Sequence, residues 1–218
     1  MASLATVSIL FCDLVGSTDL LVRVGDPAGD EVRRSCFSAW RTAVAEHHGV
    51  EVKSQGDGLM VSFASAVDAV ECAAALQGAT HRLDRQRPGL GLALRVGISA
   101  GEAAADEGDW FGTPVVEAAR LCAAAAAGEI LASEIVAILV RHRSDRGFRD
   151  AGAYVLKGLP APVPAVSFEW DREPAPSIAL PRPLARAESL FAFFVGREDD
   201  LERLLRGWKQ VVAGEPQC

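Results

Sequence analysis

The sequence predicts an α+β fold of the split βαβ, ferredoxin-like type, with helices around a mostly antiparallel sheet, and three observations carry that prediction. Short runs of β-forming apolar residues alternate with helical periodicities. A Gly-Asp-Gly turn joins two of the runs as a hairpin. The elements follow one another as strand, helix, hairpin, helix, strand. The 218 residues are 50% hydrophobic and 23% charged, which supplies a core and excludes a disordered, collagen-like or coiled-coil chain.

Val7-Ser8-Ile9-Leu10-Phe11-Cys12 is a β-forming run that ends at Asp13 and reads as a buried strand. A turn follows at Gly16-Ser17-Thr18. Beyond Asp26-Pro27, Val32, Cys36, Trp40 and Val44 recur every four positions, giving one apolar helix face that closes near His48-Gly49. Val50-Glu51-Val52 resumes as a strand, Gly56-Asp57-Gly58 reverses the chain, and Leu59-Met60-Val61-Ser62-Phe63 returns, so Asp57 stands at a hairpin tip. Helices over 66–83 and 117–127 flank a strand over 90–99. The apolar stretch from Leu121 to Val140 is interrupted by Gly128, Glu129 and Glu134, which suits two buried elements with a break and not a membrane span. Residues 1–170 thus make one domain. Four prolines between 174 and 183 mark an extended linker over 171–190, and 191–218 follows as a separate segment with a short helix.

The charge balance is 22 basic against 29 acidic residues, a net −7, which argues against a nucleic-acid-binding face or a polybasic membrane anchor. Positive charge for a polyanion must be local. Only Lys53, Lys157 and Lys209 are lysines. Cys12, Cys36, Cys72, Cys122 and Cys218 are scattered without a CxxC pair and read as small core hydrophobes in a reducing compartment. Asp13 interrupts the N-terminal apolar run and no basic n-region precedes it, so a cytoplasmic protein is expected. The four histidines lack metal-ligand spacing, and Trp40 and Trp110 read as packing residues.

With the first and third strands side by side, Asp13 and Asp57 converge at one sheet edge. Two carboxylates suit a hard divalent cation, since Mg²⁺ is held by one or two of them while waters and substrate phosphates complete its octahedron. By position alone, Asp13 also reads as a helix N-cap and Asp57 as a favoured turn residue. No lysine directly follows a glycine, so a P-loop is absent.

Phe11-Cys12-Asp13-Leu14-Val15-Gly16-Ser17-Thr18, Val52-Lys53-Ser54-Gln55-Gly56-Asp57-Gly58, Arg95-Val96-Gly97-Ile98 with Gly101-Glu102, Asp109-Trp110-Phe111-Gly112 and Ala118-Ala119-Arg120 stand in the order and spacing of one known family. Over about residues 5–168 the chain resembles the catalytic domain of class III adenylate/guanylate cyclases. The resemblance implies that Asp13 and Asp57, with the backbone carbonyl of Leu14, hold two Mg²⁺ or Mn²⁺ ions per site. Lys53 and Asp109 match the pair that reads the purine, in the pattern associated with adenine. Arg120 matches the arginine that stabilises the transition state, and Lys157 loosely matches a basic position on a C-terminal strand facing the triphosphate. Such domains pack head to tail, so ATP as substrate and a homodimer are implied, with the monomer alone inactive.

One position departs from the pattern. The family places a ribose-orienting asparagine seven residues after the purine-reading aspartate, and here Val116 stands there. A valine neither donates nor accepts, and loss of such a contact costs on the order of 10²-fold in rate. Glu117 is turned about 100° away on the same helix. The expected function is therefore an adenylate cyclase of weak or conditional activity. The alternative is a catalytically degenerate nucleotide-binding or dimerisation module that regulates a downstream NTPase or transcriptional regulator. Phe194-Val195-Gly196-Arg197-Glu198 with Leu201 and Leu204 resembles the start of an AAA/STAND-type NTPase region, as in large actinobacterial regulators. A ferredoxin-like RNA binder is disfavoured by the acidic balance and the lack of an aromatic-rich strand.

Overall fold

A computed structural model describes residues 3–170. The expected linker over 171–190 and the NTPase-like segment over 191–218 lie outside the described residues, as does Cys218. The elements run β1 (Ser3–Leu14), α1 (Ser17–Val24), α2 (Asp26–Glu46), β2 (Val50–Gln55), β3 (Gly58–Phe63), α3 (Ala66–Gln86), β4 (Leu94–Asp106), β5 (Asp109–Phe111), α4 (Thr113–Ala124), β6 (Ile130–Ser133), α5 (Glu134–Val140), β7 (Phe148–Tyr154) and β8 (Val163–Phe168).

Eight strands form one sheet in the order β2-β3-β1-β4-β6-β8-β7, with β5 paired to β4 outside that path. All pairings are antiparallel except β4 with β6. The expected α+β architecture and the adjacency of the first and third strands are both present. β3 pairs β1 over Ser8–Asp13, whereas β4 pairs it over the whole of Ser3–Leu14. Beyond the end of β3, β1 and β4 therefore continue as a two-stranded ribbon, and β5 folds back onto β4 there.

Strand alternation sorts the core into two layers. Leu10, Cys12 and Leu14 of β1 pack with α2, α3 and α5 in the large core, while Val7 and Ile9 pack with Met60 and with Ala118 of α4 on the opposite face. One face is thus fully helical and the other carries α4. Trp40 is fully buried between α2 and α3, and its indole Nε1 donates to Thr80 Oγ1 at 2.9 Å. Helix α4 lies directly on β4 at Gly97, where a Cβ would come within 2.1 Å of the Cys122 amide nitrogen and 2.3 Å of the Ala118 carbonyl oxygen.

Several boundaries differ from the sequence reading. The Gly16-Ser17-Thr18 turn opens helix α1, whose Leu20 reaches the core. Helix α4 begins at Thr113, with Pro114 in its first turn, and ends at Ala124; proline suits that position because its missing N–H has no helical partner there. The strand expected over 90–99 starts at Leu94 and runs to Asp106. The Leu121–Val140 stretch holds three elements, the end of α4, the wholly buried β6, and α5. Cys12, Cys36, Cys72 and Cys122 are buried free thiols, as their scatter suggests. No helix among the described residues is long and apolar enough to cross a membrane.

Candidate active site

The carboxylate edge is built by register. Asp13, next to last in β1, lies opposite Gly58 of β3 on one side and opposite Arg95 of β4 on the other. Asp57 sits in the two-residue turn joining β2 and β3, where Gly56 takes a left-handed φ of 61°. Gly58 must lack a side chain, since a Cβ would meet the Cys12 carbonyl oxygen at 2.3 Å. The Leu14 amide donates to the Asp57 carbonyl oxygen at 3.4 Å, so the backbone of Leu14 reaches the turn that carries Asp57.

Arg95 is the member of this group to which the sequence reading gave no role. Its Nε donates to Asp13 Oδ2 at 2.8 Å, its Nη2 donates to the same oxygen, and its Nη1 reaches the Ala123 carbonyl oxygen in the last turn of α4 at 3.4 Å. Partial burial pushes Asp13 above the usual carboxylate value, the Arg95 hydrogen bond pulls it down, and neighbouring Asp57 pushes it up again. The net direction is upward. Asp13 and Arg95 line a cleft of about 170 Å³ with Gln55, Gly58 and Ala119.

Among the described residues no cluster of three His, Cys, Asp or Glu side chains gathers. The available donors are two carboxylates with neighbouring backbone oxygen, a set that suits an ion keeping waters and substrate phosphates in its shell. Asp13 and Asp57 thus have the donor chemistry of a Mg²⁺ or Mn²⁺ site, with the backbone of Leu14 beside the Asp57 turn.

A second pair forms elsewhere. Lys53 of β2 and Asp109 of β5, 56 residues apart, meet with Nζ 2.5 Å from Oδ2. The other Asp109 oxygen accepts from the Trp110 amide at 2.8 Å. The Lys53 hydrogen bond, chiefly, holds the Asp109 carboxyl below its ordinary value. Trp110 packs beside the Val7–Ile9 cluster, which supports its reading as a packing residue.

Arg120 lies exposed on α4, and its Nε donates to the Lys157 carbonyl oxygen at 3.3 Å. Lys157 stands in the loop after β7 and not on the strand the sequence suggested, because β7 ends at Tyr154 and β8 resumes only at Val163. The structure therefore brings the named residues together in three places: Asp13, Leu14, Asp57 and Arg95; Lys53 and Asp109; Arg120 and Lys157. None of Lys53, Asp109 or Arg120 lines the cleft at Asp13. Val116 is 39% exposed on α4, and Glu117 beside it accepts from Ser99 Oγ at 2.6 Å, with Ser99 in turn 3.0 Å from Ser133 Oγ.

A split βαβ sheet with two carboxylates at one edge and a separate lysine–aspartate pair defines a class, the class III nucleotide cyclases. The family model described as "Adenylate and Guanylate cyclase catalytic domain" matches residues 1–166, and the chain belongs to that family. It is 34% identical over 191 residues to a Rhizobium meliloti (strain 1021) protein named "Putative adenylate cyclase 3", covering 85% of this chain and 32% of that protein. The chain thus spans about a third of that relative's length. The adenylate/guanylate cyclase/hydrolase of Silicibacter pomeroyi superposes with a TM-score of 0.71 at 28% identity, over 78% of this chain and 100% of that one. The adenylyl cyclase CyaB of P. aeruginosa shares the fold, with a TM-score of 0.71 at 24% identity over 79% of this chain and 98% of that one.

Proposed function

We propose that the chain is an adenylate cyclase that converts ATP to 3′,5′-cyclic AMP and pyrophosphate at a site completed by a second copy of itself. The observation that carries the reading is the Lys53–Asp109 contact. Adenine offers a donor at N6 and an acceptor at N1, so Asp109 accepts from the first and Lys53 donates to the second, whereas guanine reverses both groups. A divalent cation at Asp13 and Asp57 would lower the pKa of the ribose 3′-hydroxyl and neutralise the departing pyrophosphate. Arg120 offers a planar guanidinium to the charge developing at the α-phosphate. Lys157 adds a positive charge beside it for the triphosphate. Membership of the cyclase family supports a head-to-tail homodimer, in which each copy brings its carboxylates to the partner's purine pair.

One observation favours a second reading. Val116 offers no hydrogen bond and Glu117 is committed to Ser99, so neither of these two residues is free to orient a ribose. The domain would then bind ATP and dimerise without turnover.

The two readings separate when the full chain is incubated with Mn²⁺-ATP or Mn²⁺-GTP and both cyclic nucleotides are quantified. Cyclic AMP in excess over cyclic GMP is expected, with Asp57→Ala abolishing it. ATP binding without cyclic AMP overturns the cyclase reading; activity that survives Asp57→Ala overturns the metal assignment.

A further inference from the structure

Asp13 carries two relationships that compete. As a cation-holding carboxylate it must present oxygen to a divalent ion. Yet two N–H groups of Arg95 converge on its Oδ2, and a third N–H of the same guanidinium reaches the Ala123 carbonyl oxygen at the end of α4. The antiparallel pairing of β1 with β4 sets Asp13 and Arg95 directly opposite, so the contact is built into the register. The side chains are 27% and 34% exposed, which leaves the pair open to solutes on one side while shielding it in part from water.

We infer that Arg95 is a resident counter-cation of the carboxylate edge, which a divalent ion must displace from Asp13 before the edge is loaded. The inference rests on the metal assignment of Asp13 and Asp57. Charge bookkeeping supports it. Without Arg95, two neighbouring carboxylates would repel one another; with it, one of the two charges is neutralised before any ion arrives. Adding a divalent ion while the guanidinium stays on Oδ2 would set three positive charges against the two negative ones of Asp13 and neighbouring Asp57. Release is geometrically simple, since the Arg95 side chain is about one third exposed and keeps an anchor on α4. The exchange makes ion affinity weaker than the two carboxylates alone would give.

Mn²⁺ binding to the full chain without nucleotide, followed by electron paramagnetic resonance of the free ion, tests this. Arg95→Gln removes the charge and keeps a polar side chain of similar reach. We expect Arg95→Gln to bind Mn²⁺ about tenfold tighter than the parent, or more, equivalent to ~1.4 kcal/mol. Equal or weaker binding by Arg95→Gln, when Asp57→Ala removes binding from both, overturns the counter-cation role while leaving the metal assignment intact. Binding that survives Asp57→Ala overturns the metal assignment itself, and no Mn²⁺ binding by either protein overturns both. Thermal melting gives a second readout that also reports folding. Mg²⁺ should raise the melting temperature of Arg95→Gln by more than that of the parent, and an equal rise counts against the displacement.

Discussion

Glu117 Oε2 accepts a 2.6 Å hydrogen bond from Ser99 Oγ, which joins α4 to β4 beneath the exposed face that carries Val116. Ser99 is fully buried and sits 3.0 Å from Ser133 Oγ, so the carboxylate completes a buried polar network of the three side chains. Glu117 is therefore committed inward. Of the two neighbours, only position 116 is left to orient a ribose.

Val116→Asn is accordingly expected to raise turnover, by up to about 10²-fold if the restored contact is a full positioning hydrogen bond. Because residue 116 is exposed, folding stability should change by no more than about 0.5 kcal/mol. Steady-state cyclic AMP formation by parent and variant, with melting curves alongside, checks both halves. No gain in a weakly active parent means that the valine is not what limits it.

Nucleotide choice should follow the Lys53–Asp109 pair. Lys53→Glu with Asp109→Ser exchanges the donor and acceptor, and is expected to lower kcat/KM for ATP by roughly 10²-fold or more while raising that for GTP. Asp109 is held below its ordinary value by Lys53, so it remains an acceptor through the neutral range and the pair is lost only as pH falls through that lowered value. Competition assays with both nucleotides read the preference. Unchanged preference in the double variant removes the base-reading role.

Gly97→Ala should act on stability and activity together. Its Cβ would meet the backbone of α4 at Cys122 and Ala118, where no flexible side chain can yield. Lifting the helix is expected to cost roughly 1–3 kcal/mol, with melting lowered by about 2–4 °C per kcal/mol. Arg120 travels with the helix, so cyclase output should fall as well. Calorimetry and activity at a temperature well below melting separate the two effects.

The four described cysteines should be silent in the native chain. Burial pushes the thiols of Cys72 and Cys122 up to about 12 and that of Cys36 up to about 11, with Cys12 raised further. At pH 8 about one thiolate in a thousand, or fewer, is then present to react. A Cys218→Ser chain treated with a disulfide reagent at pH 8 should release almost nothing until denaturant is added, and four equivalents afterwards. Rapid native reaction at any of the four would contradict the burial.

Local features of the site were legible in the sequence, and the Lys53–Asp109 pair came from resemblance, but the Asp13–Arg95 join was not legible. Gly56-Asp57-Gly58 places Asp57 at a hairpin tip by turn chemistry alone, and the β-forming run before Asp13 marks a strand end. The partnership of Asp13 with Arg95, 82 residues on, is a matter of strand register, and a one-residue slip would turn Arg95 to the other face. Arg95 thus stood in a quoted motif without a role. The union of Lys53 with Asp109 depends on β5, a three-residue strand too short to show periodicity. Helix α1 was hidden behind the Gly-Ser-Thr signal that also marks turns, and the start of α4 behind Thr113-Pro114, which is a helix-opening pair as much as a loop. Lys157 matched a strand position only through a loose family resemblance; the ends of β7 and β8 show that it belongs to their connection.

The ribbon of β1 and β4 beyond β3 gives this architecture a mechanical property. Asp109 hangs from the turn at its far end, whereas Lys53 belongs to the opposite edge strand of the sheet, so their contact closes a loop through both margins of the fold. A change in the twist of that ribbon is expected to alter the spacing of Lys53 and Asp109. If Lys53 and Asp109 read the nucleobase as proposed, the ribbon is where that recognition would be loosened or tightened.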